Sequence, residues 1–240
     1  MMLAARNAFL MSGGSVSRLG SVLFYGTAHS YLYHSFTDNN PDIYTVTIWA
    51  KTAAATTHGS LVKLGRVNRS TGYPGSGLAV GFGNTSFDNN GTKIVTLSES
   101  VVWGVGPSVS DLDAWAHYAL TVNGRQLLVY RNGTQIFSWT PSRVNSAPWT
   151  MYIGGYNDSV VPVNRQLACN ATRCAMWSRV LSASEIVADC NAASGTPDTN
   201  GLTHYWPLST PDDYLIDRVG SAALTAATDG VEVSTDSPFN

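Results

Sequence analysis

Two Asn-Gly dipeptides, Asn123-Gly124 and Asn132-Gly133, constrain this chain more than any other feature. They bracket the run Arg125-Gln-Leu-Leu-Val-Tyr-Arg131, with Trp115-Ala-His-Tyr-Ala-Leu-Thr-Val122 before it and Thr134-Gln-Ile-Phe-Ser-Trp139 after it. Asn-Gly suits a two-residue type I′ turn, which needs positive φ at both central positions. Both turns are therefore expected to centre on Asn-Gly, and the stretch to form an antiparallel three-stranded meander. Alternation then puts Ala116, Tyr118, Leu120 and Val122 on one face of the first strand, and Trp115, His117, Ala119 and Thr121 on the other. Both faces are partly apolar, as in a strand belonging to a stacked pair of sheets.

The same alternation recurs in Ile43–Lys51, where Tyr44, Val46, Ile48 and Ala50 interleave with Thr45, Thr47, Trp49 and Lys51. Ser21–Tyr25, Ser30–Ser35, Ser60–Leu64, Gly77–Phe82, Lys93–Leu97 and Val101–Val105 read as further strands. Thr37–Asp42 reads as a polar turn, and 69–75 and 83–91 as Gly- and Asn-rich loops. Trp149–Ile153 ends at Gly154-Gly155, and Gln166–Ser178 is a long strand or a bulged pair. Gly201–Leu208 is a strand that Pro207 places at an edge or an end. Only Ser182-Ala-Ser-Glu185 opens a clear helix, as a capping box. Glu and Lys, which helices use heavily, occur three times each in 240 residues, and charged residues make up only 12%. The composition indicates an all-β protein, and 44% hydrophobic residues suffice for a sizeable core.

A net charge of −2 leaves no electrostatic footprint for nucleic acid. No apolar run reaches the ~20 residues needed to span a bilayer. The first 20 residues read as a retained arm, without a charged leader or small-residue cleavage site, expected to lie against its own sandwich or a neighbouring subunit. The three cysteines, Cys169, Cys174 and Cys190, are expected as buried reduced thiols, with a bridge from Cys190 to one of the other two as the alternative. On one extended strand Cys169 and Cys174 would lie roughly 16 Å apart on opposite faces. Asn-x-Ser/Thr triplets at Asn68, Asn84, Asn90, Asn132, Asn157 and Asn170 read as turn chemistry.

The meander, together with Tyr44-Thr-Val-Thr-Ile-Trp-Ala-Lys51, Tyr152-Ile-Gly-Gly155 and Met176-Trp-Ser-Arg-Val-Leu-Ser-Ala-Ser-Glu-Ile186, resembles the laminin G-like / concanavalin A-like lectin-glucanase jelly roll. The resemblance covers roughly residues 22–192. It implies an all-β, two-sheet antiparallel sandwich with one short helix and extended termini. Many members carry an acidic pair for calcium before the closing strand, whereas here the matching positions are Ala171, Thr172 and Arg173. The tail, Gly201-Leu-Thr-His-Tyr-Trp-Pro-Leu208 followed by Asp217-Arg-Val-Gly220, is similar to the terminal extension of such proteins in tailed-phage structural genes. The organisation expected is an arm over 1–20, a jelly roll over 21–200 and a C-terminal extension with an added strand over 201–240.

Catalytic chemistry has little to build on. Retaining glycoside hydrolysis needs two carboxyl groups about 5 Å apart, and Glu99, Glu185 and Glu232 are isolated, with Glu185 the helix cap. Asp111 and Asp113 read as turn carboxylates, and His117 as a cross-strand residue. His29, His34, His58 and His204 lack metal-ligand spacing. Weak calcium candidates are Asp38, Asp42, Asp88 and Asn90, which Asx-rich turns also explain. Glycan-binding candidates are the loop residues Tyr73, Trp103, Tyr156, Asn157 and Asp158, with Phe87 beside them.

The reading is a non-enzymatic structural protein of a tailed-phage virion, a capsid decoration or fibre-type subunit assembled in the host cytoplasm. Its lectin-like domain would face host-surface glycan, and residues 1–20 and 201–240 would contact other virion proteins in an oligomeric assembly. A free-standing calcium-dependent lectin and, more remotely, a glycoside hydrolase of the same fold stay open.

Overall fold

The structure is a computed structural model. It describes residues 20–27, 29–39, 42–52, 59–65, 75–82, 93–98, 102–141, 148–155, 167–192, 197–227 and 230–239. Side chains at 38, 39, 75, 76, 81, 82, 97, 98, 102, 103 and 148 fall outside that description.

The described residues form fifteen strands and one helix: β1 (Ser21–Tyr25), β2 (Leu32–Asn39), β3 (Ile43–Thr52), β4 (Gly59–Gly65), β5 (Gly75–Phe82), β6 (Lys93–Ser98), β7 (Val102–Ser108), β8 (Ala116–Asn123), β9 (Gln126–Arg131), β10 (Thr134–Trp139), β11 (Pro148–Ile153), β12 (Ala168–Trp177), α1 (Ala183–Asn191), β13 (Leu202–Trp206), β14 (Thr225–Ala226) and β15 (Glu232–Ser234). They make two antiparallel sheets. Sheet A runs β10-β9-β8-β3-β12-β1-β15, with β13 also on β12, and sheet B runs β14-β2-β11-β4-β5-β6-β7. This is the two-sheet jelly-roll sandwich expected. Strand β2 continues to Asn39, through the start of the expected polar turn.

The core lies between the sheets. Tyr44, Val46, Ile48 and Ala50 of β3 join Ala116, Tyr118, Leu120 and Val122 of β8, facing Leu64, Leu78, Val80, Ile94, Trp149, Met151 and Ile153 of sheet B. Each buried aliphatic side chain is worth about 1.5–3 kcal/mol, so the period-2 pattern fixes which face turns inward. At the end of β11 the chain must pass Phe24 closely. A Cβ on Gly154 would lie 2.2 Å from that ring, and its φ of +81° favours glycine as well.

The two Asn-Gly turns differ. Asn132 and Gly133 both have positive φ, +49° and +77°, and Thr134 pairs Arg131, giving the expected type I′ turn. In the first hairpin Asn123 pairs Gln126, so the two-residue loop is Gly124-Arg125. Gly124 has φ +56° while Asn123 and Arg125 do not enter the positive region, the pattern of a type II′ turn. The third strand explains the shift. Asn123 also pairs Ile43 of β3, and the Gly124 amide donates to the Asp42 carbonyl at 2.7 Å.

Strand β12 carries a bulge. Thr172 pairs Trp49 and Ala175 pairs Thr47, so Arg173 and Cys174 together oppose Ile48, with Arg173 at φ +51°. The extra residue corrects the expectation for the cysteines: Cys169 and Cys174 both face the core. The three thiols are free. Asn170 is corrected too, since it sits within β12, 7% exposed, donating to Ser21 Oγ at 2.9 Å.

The C-terminal segment packs on the sandwich. β13 lengthens sheet A beside the upper half of β12, β15 pairs β1, and β14 pairs β2. Between them the buried Asp217 carboxylate gathers the amides of Tyr205, Val219, Gly220 and Ala222 and meets His204 Nδ1 at 2.7 Å. Burial opposes the charge, but His204 and the backbone amides outweigh it and hold the carboxyl at about 2.

Candidate functional site

A sandwich offers two outer faces for function. On sheet A the middle of that face is covered, while Tyr25 at its β1 edge stays exposed. Ala119, Tyr130, Ala175 and Trp177 form a second apolar cluster with Leu181 and Ile186 at the start of α1 and with Leu202. Helix α1 is held there by its capping box: Ser182 Oγ accepts from the Glu185 amide, and the Ser182 amide donates to Glu185 Oε2 at 2.7 Å.

Further along α1, Asp189 reaches down to the sheet. His117 Nε2 lies 2.9 Å from Asp189 Oδ2, and Arg173 Nη2 lies 3.6 Å from Oδ1. All three side chains are nine-tenths buried or more. Burial would raise the Asp189 carboxyl, but His117, Arg173 and the Thr47 hydroxyl together hold it below the usual range. The rest of the face is crossed by the C-terminal segment. Asp236 pairs with Lys51 and accepts from Trp115 Nε1 at 3.0 Å. Phe239 stands against Trp49 at 5.6 Å and under Arg173 at 5.5 Å. Residues 171–173, where calcium-binding members place acidic groups, are buried here and present a guanidinium, so they do not fit a divalent cation.

On sheet B the outer face differs. Leu32, Met151 and Ile153 point into the core, so their neighbours Tyr33 and Tyr152 point outward, paired directly across β2 and β11. Tyr31 joins them, 5.8 Å from Tyr152 and 6.0 Å from Tyr33, while Tyr33 and Tyr152 stack at 6.3 Å and 29°. Tyr33 and Tyr152 are half-buried. Next along the same face, Ser35 Oγ lies 3.1 Å from Thr150 Oγ1. Register adds Thr225 beside Tyr33, and Lys63 beside Tyr152. Burial is the largest influence on the Tyr152 phenol, which is pushed up to about 12. It stays a neutral hydroxyl, able to donate and accept. Two half-buried rings, Tyr33 and Tyr152, backed by the buried Tyr31 and flanked by hydroxyls, make a surface that can stack on an apolar face and hydrogen-bond at its rim.

The loop candidates do not test this face. Tyr73, Tyr156, Asn157, Asp158, Asp88 and Asn90 lie outside the described residues, as do Phe87, Glu99 and the arm 1–19. The backbone of Trp103 is in β7, pairing Leu97, which pairs Gly77, which pairs Lys63 beside Tyr152. Its position thus falls in the same cross-strand row, although its side chain is outside the description. Asp38 is placed in β2 by its backbone alone, and Asp42 is exposed. Glu185 caps α1, and Glu232 on β15 accepts from the Tyr25 hydroxyl. Sequence reasoning missed Tyr31, Tyr33 and Tyr152. Their signal was aromatic residues next to the inward Leu32, Met151 and Ile153.

Residues 26–187 match the family model described as "Concanavalin A-like lectin/glucanases superfamily". No curated protein sequence matches the chain. Among solved structures, a Bacteroides ovatus protein described as carbohydrate-binding superposes with a TM-score of 0.66 at 13% identity, covering 93% of this chain and 62% of that one. The chain therefore spans less than two thirds of that protein's length. A heptameric SAP-like pentraxin of Limulus polyphemus gives 0.60 at 16%, covering 94% and 99%. Domain 4 of AbnA, an extracellular arabinanase of Geobacillus stearothermophilus solved with arabinotriose, gives 0.51 at 16%, covering 70% and 75%. At these identities the likeness is one of fold.

Proposed function

From the premise that the chain belongs to the concanavalin A-like lectin/glucanase superfamily, we propose that it binds carbohydrate without turning it over, on the outer face of sheet B. The observation that carries this reading is the Tyr31, Tyr33 and Tyr152 cluster beside the Ser35 and Thr150 hydroxyls. A pyranose ring presents an apolar C–H face and a rim of hydroxyls, and this surface offers the complement of both. Among the described residues, Glu185 and Glu232 serve a helix cap and a tyrosine hydroxyl, which supports binding over hydrolysis. The setting we propose is a tailed-phage virion, in which the domain is a capsid decoration or fibre-type subunit facing host glycan. That setting is supported by the tail's similarity to phage-encoded extensions.

A glycan array tests the first part. The unaltered protein should retain defined glycans without releasing reducing sugar, and Tyr33→Ala and Tyr152→Ala should lose them while remaining folded. Retention unchanged in both variants would remove the face from consideration. Mass spectrometry of purified particles tests the setting, and deletion of residues 1–20 should abolish incorporation while the sandwich still folds.

A further inference from the structure

The segment 235–239 crosses the outer face of sheet A and touches it as a ligand would. Asp236 pairs with Lys51 and accepts from Trp115 Nε1 at 3.0 Å. Three residues on, the Phe239 ring meets the Trp49 ring at 5.6 Å and 74°, and the Arg173 guanidinium at 5.5 Å. The segment thus sets down one carboxylate and one flat apolar ring. Trp49 and Lys51 are two residues apart on one face of β3, so the two footprints are about 7 Å apart.

The face beneath Phe239 is incompletely served. Trp49 Nε1 and Arg173 Nε and Nη1 are buried and donate to no acceptor. Arg173 Nη2 is already turned to Asp189, at 3.6 Å. Indole and guanidinium groups are donors at any pH at which a protein folds, so this shortage of acceptors does not depend on His117. A phenyl ring supplies no oxygen to meet them, and a buried donor left unmet is costly. Charge points the same way. Asp189 answers Arg173 and Asp236 answers Lys51, so lifting the segment takes from Lys51 the carboxylate it is paired with.

We propose that residues 235–239 are a displaceable cover over a second binding site, and that this site takes an acidic saccharide. The saccharide's carboxylate replaces Asp236 between Lys51 and Trp115, and its ring replaces Phe239 against Trp49. A sugar ring brings an apolar C–H face for the indole, and also the hydroxyl oxygens that the phenyl ring lacks. An acidic peptide carrying an aromatic residue would only repeat the contacts of the cover and leave the same donors unmet. The site lies on the other sheet from the tyrosine cluster, and neither reading needs the other.

The test is a titration of isotope-labelled, full-length protein with methyl β-D-glucuronide, and separately with the neutral methyl β-D-glucoside, following the Trp49 and Trp115 indole N–H signals by NMR. The glucuronide should shift both saturably, and the glucoside should bind at least about ten-fold more weakly. Phe239→Ala and Asp236→Asn each remove one contact of the cover, so each should tighten glucuronide binding by about ten-fold. Lys51→Met should weaken it by about as much, and Tyr152→Ala should leave it unchanged. No saturable shift, equal binding of the glucoside, tightening in neither cover variant, or loss of binding in Tyr152→Ala would overturn the proposal. If Phe239→Ala loses cooperative melting, Asp236→Asn, which keeps the shape of the side chain, decides by itself.

Discussion

The outer faces of the two sheets are built from the same alternation and end differently. On sheet A the outward residues Thr47, His117, Ala175 and Trp177 are buried, because α1 and the segment ending at Phe239 lie over them. On sheet B the outward Ser35 and Thr225 are exposed and Tyr33 and Tyr152 half-exposed, whereas Lys63 beside them on β4 is buried, so the open part of that face is the β2, β11 and β14 side. Covering a face commits its polar groups to internal partners, as His117 and Arg173 are committed to Asp189. An uncovered face keeps hydroxyls and ring edges for a ligand. Substitutions on sheet A should therefore register in stability, and those on sheet B in binding.

The sharpest break is Asp189→Ala, which strands a buried guanidinium and an imidazole. It should cost about 3–5 kcal/mol in urea unfolding, and a loss under about 1 kcal/mol would mean that the cluster does not hold α1 down. Next is acid. The folded Asp217 carboxyl is held at about 2, below the unfolded 3.8. Its contribution is thus complete above pH 4 and disappears as pH falls through about 2. The difference corresponds to about 2 kcal/mol, and Asp217→Asn should flatten that part of the stability–pH curve. Third, Tyr152→Ala should weaken glycan binding about ten-fold, about 1.4 kcal/mol, with a smaller change in stability than Asp189→Ala. The smallest is Ser182→Ala, which removes one cap for about 1 kcal/mol and leaves glycan affinity alone. A change in affinity there would mean that the two faces communicate.

Much of this was legible in the sequence. The faces of β3 and β8, the capping box at Ser182 and the type I′ turn at Asn132 follow from local pattern, since neighbouring residues decide them. What was not legible depends on a third element. Asn123-Gly124 is the same dipeptide as Asn132-Gly133, yet pairing with Ile43 draws Asn123 into the ladder and moves the turn by one residue. The tyrosine cluster needed β2 and β11 side by side, although they are far apart in the chain. Loop composition drew attention to Tyr73 and Tyr156 instead. The bulge in β12 fits the bulged alternative read for Gln166–Ser178, but its place at Arg173 was not legible, since positive φ there is met by a residue that gives no turn signal.

That bulge also decides how the chain meets an oxidant. By adding one residue it turns Cys174 to the same side as Cys169, where neither is exposed and burial pushes both thiols up. Attack on a disulfide or an alkylating agent requires the thiolate, so both sulfurs are shielded kinetically as well as sterically. Cys190, half-buried on α1, is the accessible thiol. Under native conditions a thiol reagent should modify one sulfur, and all three after unfolding. An oxidising medium should therefore act on Cys190 alone and leave the two sulfurs of β12 as thiols.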